Sequence, residues 1–267
     1  MAGVIGQTIV LNNGVAIPTL GLGVWQMREG AETENAVRAA LDAGYRMIDT
    51  ARLYGNERSV GRAVRMSGIR RAEIFVTTKL WPTGFFNPEK AFETSFAKLD
   101  IGYIDLYLIH FPADFIPGFG ALRKQVWNVL EGLLARDRVR AIGVSNYGIA
   151  NIDEVLATGH VPPAVNQVRF NPFAYKGALL DYCKSKNIVV EAYSPLTRAK
   201  RLNHPVIRKV ADAHNRSPAQ ILIRWALQHG TVVIPKSSNP GRIAANAQVF
   251  DFELTDGEMK ELDGLTG

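Results

Sequence analysis

Residues 44–57, GYRMIDTARLYGNE, combine a short buried strand with two side chains that can carry chemistry. The apolar run ends at Asp49, and the turn that follows carries Tyr54. A carboxylate that ends a strand and a phenol in the next turn can face one cleft, where the carboxylate supplies charge and the phenol moves a proton. The stretch predicts half of an acid–base site, and the fold of the remaining chain decides whether that site is completed.

On both sides of this stretch, short apolar runs alternate with amphipathic segments. The chain opens with a turn, Asn12-Asn13-Gly14, that predicts a tight β-hairpin because Asn and Gly tolerate positive φ. Buried strands are then predicted at residues 20–24, 47–49, 74–79, 104–109, 139–144, 164–168, 188–193 and 231–234. Helices are predicted near residues 32–43, 56–67, 88–99, 123–136, 151–157, 177–186, 205–214 and 218–229 and from Pro240 onward, with a longer loop at 111–120.

This alternation favours an α/β fold in which eight parallel strands close into a (β/α)8 TIM barrel with an N-terminal β-hairpin. An open doubly wound sheet is the alternative on this pattern alone. A length of 267 residues is common for a single α/β barrel, and no linker rich in Pro, Gly or Ser divides the units. One domain over residues 1–267 is therefore predicted.

The charge and cysteine content argue against several classes of protein. The net charge of +6 would permit a nucleic-acid partner, but the Lys and Arg residues are dispersed and form no stripe interleaved with aromatic residues, so solvated helix ends are the favoured interpretation. The single cysteine, Cys183, lies on an apolar helical stripe and is expected to be a buried thiol. No run of 18 apolar residues occurs, and we expect a cytoplasmic monomer with no membrane or nucleic-acid partner and no metal site.

In a barrel of this kind, catalytic residues come from the C-terminal ends of several strands. Taken singly, a polar residue at a strand end is more often a cap, a solvated charge or a structural hydrogen-bonding group than a catalyst. Here polar residues end most of the predicted strands, which predicts that they converge on one mouth. They are Asp49, Lys79, His110, Ser145, Asn146, Gln167, Tyr193, Ser194, Lys236 and Ser237.

Three of these residues, Asp49, Lys79 and His110, together with Tyr54 suggest the chemistry of a polarised carbonyl. A phenol has an unperturbed pKa of about 10, and a nearby ammonium favours the phenolate, so Lys79 is expected to lower the pKa of Tyr54. Asp49 would keep Lys79 charged and oriented. A neutral His110 can orient a carbonyl oxygen beside Tyr54.

The same residues stand in a series of motifs. In order, the chain contains GYRMIDTARLYGNE, TTKLW, YLIHFP, RAIGVSNY, NQVRFNP, EAYSPL and IPKSSNPGR. These motifs, with the hairpin, resemble the aldo-keto reductases over essentially the whole chain, and among them the bacterial reductases of diketo sugar acids. The resemblance implies an eight-stranded barrel that binds NADPH in an extended form without a Rossmann domain. Gly21 and Gly23 form only a fragment of a dinucleotide fingerprint, since Gln26 stands where a third glycine would be.

Carried over position by position, the resemblance implies specific roles for the matching residues. Tyr54 would be the general acid in reversible reduction of aldehydes and ketones, Lys79 and Asp49 would tune it, and His110 would orient the carbonyl. The expected nicotinamide and pyrophosphate contacts are Ser145, Asn146, Gln167, Tyr193, Ser194 and Leu196. The expected contacts to the 2′-phosphate and adenine, which favour NADPH over NADH, are Lys236, Ser237, Ser238, Arg242 and Asn246.

Substrate choice is less sharply specified. Three aromatic residues match positions of the pocket wall: Trp25, Trp81 and Phe111. They predict an apolar, aromatic cleft for small carbonyl substrates, with diketo sugar acids as one candidate class. Phe111 stands where tryptophan is frequent, and Arg169 and Ala245 stand where glutamates are common. Two other interpretations stay open: a non-catalytic regulator on the same fold, as the potassium-channel β subunits partly are, and a barrel isomerase or aldolase that uses a lysine Schiff base.

Overall fold

The computed structural model describes residues 5–114 and 119–265. It begins with an antiparallel hairpin of β1 (Thr8–Val10) and β2 (Ala16–Pro18), in which Ile9 pairs with Ile17. Gly14 supplies the positive φ of 85° that the turn requires. The predicted hairpin is confirmed.

Eight parallel strands follow in sequence order around one sheet. They are β3 (Leu22–Gly23), β4 (Met47–Asp49), β5 (Phe75–Leu80), β6 (Ile104–Ile109), β7 (Val139–Ser145), β8 (Val165–Arg169), β9 (Val189–Tyr193) and β10 (Val232–Ile234). The sheet closes on itself, because Leu20 forms a parallel bridge with Val233 and the amide of Gly21 donates to the carbonyl of Val233 at 2.9 Å. The closed barrel is confirmed, and the open doubly wound sheet is excluded.

Ten α-helices are described. They are α1 (Ala31–Asp42), α2 (Glu57–Arg65), α3 (Pro88–Leu99), α4 (Phe119–Ala135), α5 (Ile149–Thr158), α6 (Gly177–Ser185), α7 (Pro205–Ala213), α8 (Pro218–Gln228), α9 (Pro240–Ala247) and α10 (Asp256–Asp263). Four of them, α3, α7, α8 and α9, begin with proline, which has the helical φ and no N–H to leave unpaired.

The predicted helices match the observed ones within a few residues at most ends. The largest difference is α4, which begins at Phe119, whereas the sequence pattern placed its start near residue 123. Phe119 and Leu122 continue the apolar stripe of this helix, but Gly120 and the preceding Pro117-Gly118 disfavour a helix, so the sequence pattern assigned the first turn to the loop. Of the loop predicted at 111–120, residues 115–118 lie outside the described part of the chain.

Side chains of the strands divide into two cores. Val76, Val168 and Val190 point outward and join the layer between the sheet and the helices, which also contains the buried thiol of Cys183. Met47, Leu106 and further inward residues fill the barrel interior and contact Leu11 and Ile17 of the hairpin region.

The hairpin covers the N-terminal end of the barrel. Asn12 Nδ2 donates to the carbonyl of Pro163 at 2.9 Å, and Asn13 Nδ2 donates to the carbonyl of Arg140, also at 2.9 Å. The C-terminal end therefore holds the one mouth of the barrel that the hairpin leaves open. Among the helices of the described residues, none is long and apolar enough to cross a membrane.

Candidate active site

Three of the predicted residues form a compact buried cluster at the C-terminal ends of β4 and β5. Lys79 Nζ donates to Asp49 Oδ1 at 2.7 Å and to the carbonyl of Thr50 at 2.8 Å, and it lies 3.3 Å from the hydroxyl of Tyr54. Asp49 and Lys79 are fully or almost fully buried. The ammonium therefore lies between a carboxylate and a phenol with its three donors directed at three oxygen atoms.

Hydrogen bonds of the buried Asn56 side chain hold the turn that carries Tyr54. Asn56 is fully buried, accepts a hydrogen bond from Thr50 Oγ1 at 2.7 Å, and donates to the carbonyls of Val24 and Met27 at 3.0 and 3.1 Å. A short 3₁₀ turn, Arg52–Tyr54, ends at Gly55 in the left-handed region. The Asn56 contacts hold that turn against the first barrel strand, so that the Tyr54 hydroxyl reaches Lys79.

His110 follows β6 and lies on the other side of Tyr54. The two rings meet edge to face, with centroids 5.7 Å apart. Trp81 contacts the same imidazole edge to face at 5.1 Å, and Phe111 stacks on it at 5.8 Å. Two of the three predicted pocket-wall residues thus surround His110.

Burial controls the protonation states of this cluster. Burial and the charge of Lys79 lower the pKa of His110 to about 2, so the imidazole is neutral, as predicted. Burial by itself would lower the pKa of Lys79, but the charge of Asp49 and the neighbouring Tyr54 hydroxyl outweigh it and raise that pKa, which keeps the ammonium charged. Burial raises the pKa of Asp49, while Lys79 and the amide of Gln167 oppose that shift.

The predicted shift of Tyr54 was wrong in its net direction. Burial raises the pKa of Tyr54 to about 12, and the nearby Asp49 adds to the increase. Lys79 acts in the expected direction, lowering this pKa, but it does not overcome the cost of placing a phenolate away from water. Sequence spacing indicated the neighbouring charge correctly but contained no measure of desolvation.

Residues at the ends of β7, β8 and β9 form a second, connected hydrogen-bond network. Ser145 Oγ donates to the carbonyl of Gln167 at 2.8 Å, and Gln167 Nε2 donates to Asp49 Oδ2 at 2.8 Å. Asn146 Nδ2 donates to the carbonyl of His110 and to Ser145 Oγ, both at 3.0 Å. Tyr193 Oη donates to Asn146 Oδ1 at 2.8 Å. The network connects the predicted nicotinamide residues directly to the Asp49 and Lys79 pair.

Asn146 is held firmly within this network. Its amide group is engaged on both sides by protein partners, and its backbone adopts a φ of 63°, which asparagine tolerates better than most residues. These contacts hold the Asn146 side chain between the His110 carbonyl and the Tyr193 hydroxyl, and its contact with the nicotinamide stays a prediction.

The residues predicted to bind phosphate lie around the start of α9. Asn239 caps this helix by accepting a hydrogen bond from the amide of Arg242 at 2.9 Å, and the amide of Asn239 donates to Ser237 Oγ at 3.2 Å. Lys236, Ser238 and Arg242 are exposed, and Ser237 and Asn246 are buried. A helix N-terminus with two cations beside it favours an anion.

The segment after β9 contains the other two predicted cofactor residues and has an unusual backbone. Ser194, Thr197, Arg198 and Ala199 all have φ values between 51° and 62°. Leu196 is half-buried and packs against the outer core. Arg198 lies over the ring of Trp25, with its guanidinium carbon 4.5 Å from the ring centroid. Trp25 therefore contacts this segment, and its place in the pocket wall stays a prediction.

The sequence interpretation missed Glu191 on β9. Its side chain is fully buried, and it pairs with Gln167 in the β8–β9 register. The available signal was alternation, because Glu191 lies two positions before Tyr193 and therefore points to the same side of the strand. Within the described ranges, no three His, Cys, Asp or Glu side chains are grouped so that they could hold a metal ion.

The sequence profile of the aldo/keto reductase family matches residues 19–266. The chain belongs to this family. The glyoxal reductase of Bacillus subtilis is 43% identical over 261 residues, which span 97% of this chain and 92% of that protein. The NADP(+) glycerol 2-dehydrogenase of Saccharomyces cerevisiae is 41% identical over 286 aligned positions, covering 96% and 91% of the two chains. The crystal structure of an aldo/keto reductase from Brucella melitensis superposes with a TM-score of 0.91 at 42% identity, covering 97% of this chain and 99% of that one. The protein is thus an oxidoreductase of the aldo/keto reductase family.

Proposed function

We propose that this protein uses NADPH to reduce small aldehydes and ketones to alcohols, in a reaction that is reversible in principle. One observation carries the proposal: a charged lysine lies between Asp49 and the Tyr54 hydroxyl, 2.7 Å from one and 3.3 Å from the other, beside a neutral histidine. Such a site can donate a proton to an oxygen atom that becomes negatively charged during a reaction.

In this proposal, Tyr54 is the general acid. Reduction places negative charge on the carbonyl oxygen, and the phenolic proton of Tyr54 moves to that oxygen as the charge develops. The phenolate that remains is stabilised by the ammonium of Lys79, which is held in place by Asp49 and by the carbonyl of Thr50. A phenol with a pKa of about 12 is a weak acid towards a neutral carbonyl and becomes an effective one only towards an alkoxide.

His110 orients the carbonyl oxygen. Its Nδ1 atom is buried and has no hydrogen-bond partner among the described residues. A buried N–H without an acceptor is rarer and more costly than an unpaired acceptor, so we assign the proton to Nε2. The neutral ring can then donate an Nε2–H hydrogen bond to the same oxygen that receives the proton from Tyr54.

The residues at the mouth fit a nicotinamide dinucleotide. When bound, NADPH would supply the hydride that adds to the carbonyl carbon. Gln167 and Ser145 offer polar atoms for the carboxamide, and Tyr193, whose hydroxyl is anchored on Asn146, presents a fixed ring for stacking. The start of α9, with Lys236 and Arg242, suits the 2′-phosphate that distinguishes NADPH from NADH. The NADP(+) named in the yeast relative supports this choice.

The aromatic wall of Trp81 and Phe111 beside His110 suits small, weakly polar carbonyl compounds. Glyoxal, named in the Bacillus subtilis relative, is the first compound to test, and diketo sugar acids are a second class. A Schiff-base isomerase or aldolase is disfavoured, because Lys79 is charged and forms an ion pair, whereas an amine nucleophile must be neutral.

The proposal is tested by mixing the protein with NADPH and a panel of aldehydes, ketones and diketo sugars and following the absorbance of the reduced cofactor. We expect turnover with several small aldehydes. Tyr54→Phe should lower kcat by roughly 100-fold or more, because the proton donor is lost. Added NADPH should still quench the tryptophan fluorescence of this variant. The Kd for NADPH should be nearly unchanged, since the phenol does not contribute to the proposed cofactor contacts.

Arg70→Ala is a matched control for the effect of substitution, because Arg70 is an exposed residue that pairs with Glu73 before β5, at the closed end of the barrel. It should leave kcat and the Kd for NADPH unchanged. If no carbonyl compound is reduced and NADPH quenches no fluorescence, the proposed function is wrong.

A further inference from the structure

Glu191 is a fully buried carboxyl group inside the barrel, next to the proposed catalytic cluster. Val189 and Tyr193, its alternate neighbours on β9, pack with the interior core, whereas Val190 and Ala192 belong to the outer one. The side chain of Glu191 therefore points inward. Neither of its oxygen atoms has a hydrogen-bond partner with acceptable geometry among the described residues.

The groups around Glu191 compensate a negative charge there only in part. On β10 its register partner is the apolar Val232, and on β8 it is Gln167, whose Nε2 already donates to Asp49 at 2.8 Å. Asp49 from β4 disfavours the ionisation of Glu191, whereas Lys79 from β5 and the side-chain amide of Gln167 from β8 favour it. Lys79 is already paired with Asp49 at 2.7 Å.

We propose that Glu191 is a positioning residue of this site, a neutral carboxyl group whose ionisation weakens Tyr54 as an acid. The proposal rests on the proposed function, because it deepens the role given to Tyr54. An ionised Glu191 would place a second negative charge beside Asp49, compete for Lys79 and disfavour the phenolate that Tyr54 must form. The neutral form leaves Asp49 as the single anionic partner of Lys79.

The electrostatics agree with this geometry. Burial, together with the charge of Asp49, raises the pKa of Glu191 to about 8, so the carboxyl group keeps its proton at neutral pH. The charge of Glu191 in turn raises the pKa of Tyr54. Reduction should therefore slow as the pH rises through about 8.

The first experiment compares pH profiles of the full-length wild type and Glu191→Gln, since glutamine has the shape of a neutral glutamic acid but cannot ionise. At saturating NADPH, kcat/KM for the carbonyl substrate is measured from pH 6 to pH 9.5. We expect the ratio of the values at pH 6.5 and pH 9 to be at least about threefold larger for the wild type than for the variant. A residue that only fills space would leave the two ratios equal.

Glu57→Gln is the matched control for this comparison. Glu57 is also a buried glutamate, but it lies on α2 and accepts a hydrogen bond from Thr78 Oγ1 at 2.6 Å, on the outer side of the sheet. Its variant should show the wild-type pH ratio. A change in the Glu57→Gln ratio equal to that of Glu191→Gln would overturn the proposal.

The second experiment tests the charge state without any activity measurement. Because the folded protein holds the Glu191 proton more tightly than the unfolded chain, the stabilisation from that proton is complete below about pH 4.5 and is lost as the pH rises to about 8. The Tm of the wild type should therefore fall relative to that of Glu191→Gln between pH 5 and pH 8.5. A constant difference in Tm means that Glu191 is not protonated in the fold, and it overturns the proposal.

The two failures can be told apart. If the wild type reduces no carbonyl compound, the proposed function fails and the acid role of Tyr54 fails with it, whatever the melting curves show. A second outcome is an active wild type whose Tm difference from Glu191→Gln changes with pH, while the two proteins have the same ratio of kcat/KM at pH 6.5 and pH 9. In that case the proposed function stands, and the inferred effect of Glu191 on Tyr54 is wrong.

Discussion

Arg242 is the residue whose proposed contribution to cofactor choice can be isolated most cleanly. Its backbone amide is used by the Asn239 cap, but its guanidinium is exposed beside the start of α9. A charge-assisted hydrogen bond to a phosphate contributes about 1.5–3 kcal/mol, so Arg242→Ala should lower kcat/KM for NADPH roughly tenfold or more. The value for NADH should change little, because NADH has no 2′-phosphate. Steady-state kinetics with the two cofactors measure both numbers.

Lys236, an exposed residue shortly before α9, remains in the Arg242 variant, so the preference for NADPH over NADH should shrink without vanishing. A ratio of catalytic efficiencies near one in the wild type, and unchanged in Arg242→Ala, would contradict the assignment of this region to the 2′-phosphate.

At the scale of secondary-structure elements, the contact of α2 with α3 depends on one glycine. A Cβ on Gly61 would overlap the carbonyl oxygen of Leu99, the last residue of α3. Glycine to alanine in a helix is usually stabilising, by about 0.5–1 kcal/mol. Here the close approach of the two helices makes the same substitution destabilising. Gly61→Ala should lower the free energy of unfolding by about 1–3 kcal/mol.

Gly132→Ala in α4 is the control for this prediction, because the nearest atom to its added Cβ is Arg136 Nη2 at 4.0 Å. It should be neutral or slightly stabilising. Urea titration of both variants measures the difference, and equal effects would mean that the two helices can separate without cost.

In the molecule as a whole, the core beneath the hairpin and the proposed catalytic cluster lie at opposite ends of the barrel. Ile17 is fully buried in the interior core at the hairpin end, whereas the Asp49 and Lys79 pair lies at the mouth. Ile17→Ala should cost about 2–5 kcal/mol and lower Tm by roughly 5 °C or more. The kcat of the folded fraction at 25 °C should stay at the wild-type value, because the cavity forms away from the mouth.

Val10→Ala provides the comparison on the same hairpin, since the Val10 side chain is 68% exposed. Its Tm should stay within about 1 °C of the wild type, because exposed substitutions usually change stability by less than about 0.5 kcal/mol. A loss of kcat in Ile17→Ala as large as the loss of stability would show that the two ends are coupled.

The sequence predicted the barrel because its signals are local. Asn12-Asn13-Gly14 specifies a turn by φ preference, and the alternation of apolar runs with amphipathic segments specifies strands and helices by side-chain period. Polar residues at the strand ends then identified Asp49, Lys79 and His110, which the structure brings to one cluster with Tyr54. Their catalytic roles, and those of the cofactor residues, stay predictions until the kinetics are measured.

Other features depended on distances that no local pattern contains. Gln167 meets Asp49 across the barrel although 118 residues separate them, and the Asn146 amide is engaged by His110 and Tyr193. Trp25 lies under the guanidinium of Arg198, from which it is far removed in the chain. Each of these contacts follows from where the closed sheet places its strand ends.

The sequence by itself determined which segments are strands, which side chains end them and which family the chain resembles, since turn chemistry and hydrophobic period act over a few residues. Only the tertiary structure decided how strongly those side chains are shielded from water. Desolvation raises the pKa of Tyr54 to about 12 and that of Glu191 to about 8. The reason is physical: the energy of a charge depends on every atom that replaces water around it, and closing the barrel brings those atoms from segments far apart in the chain.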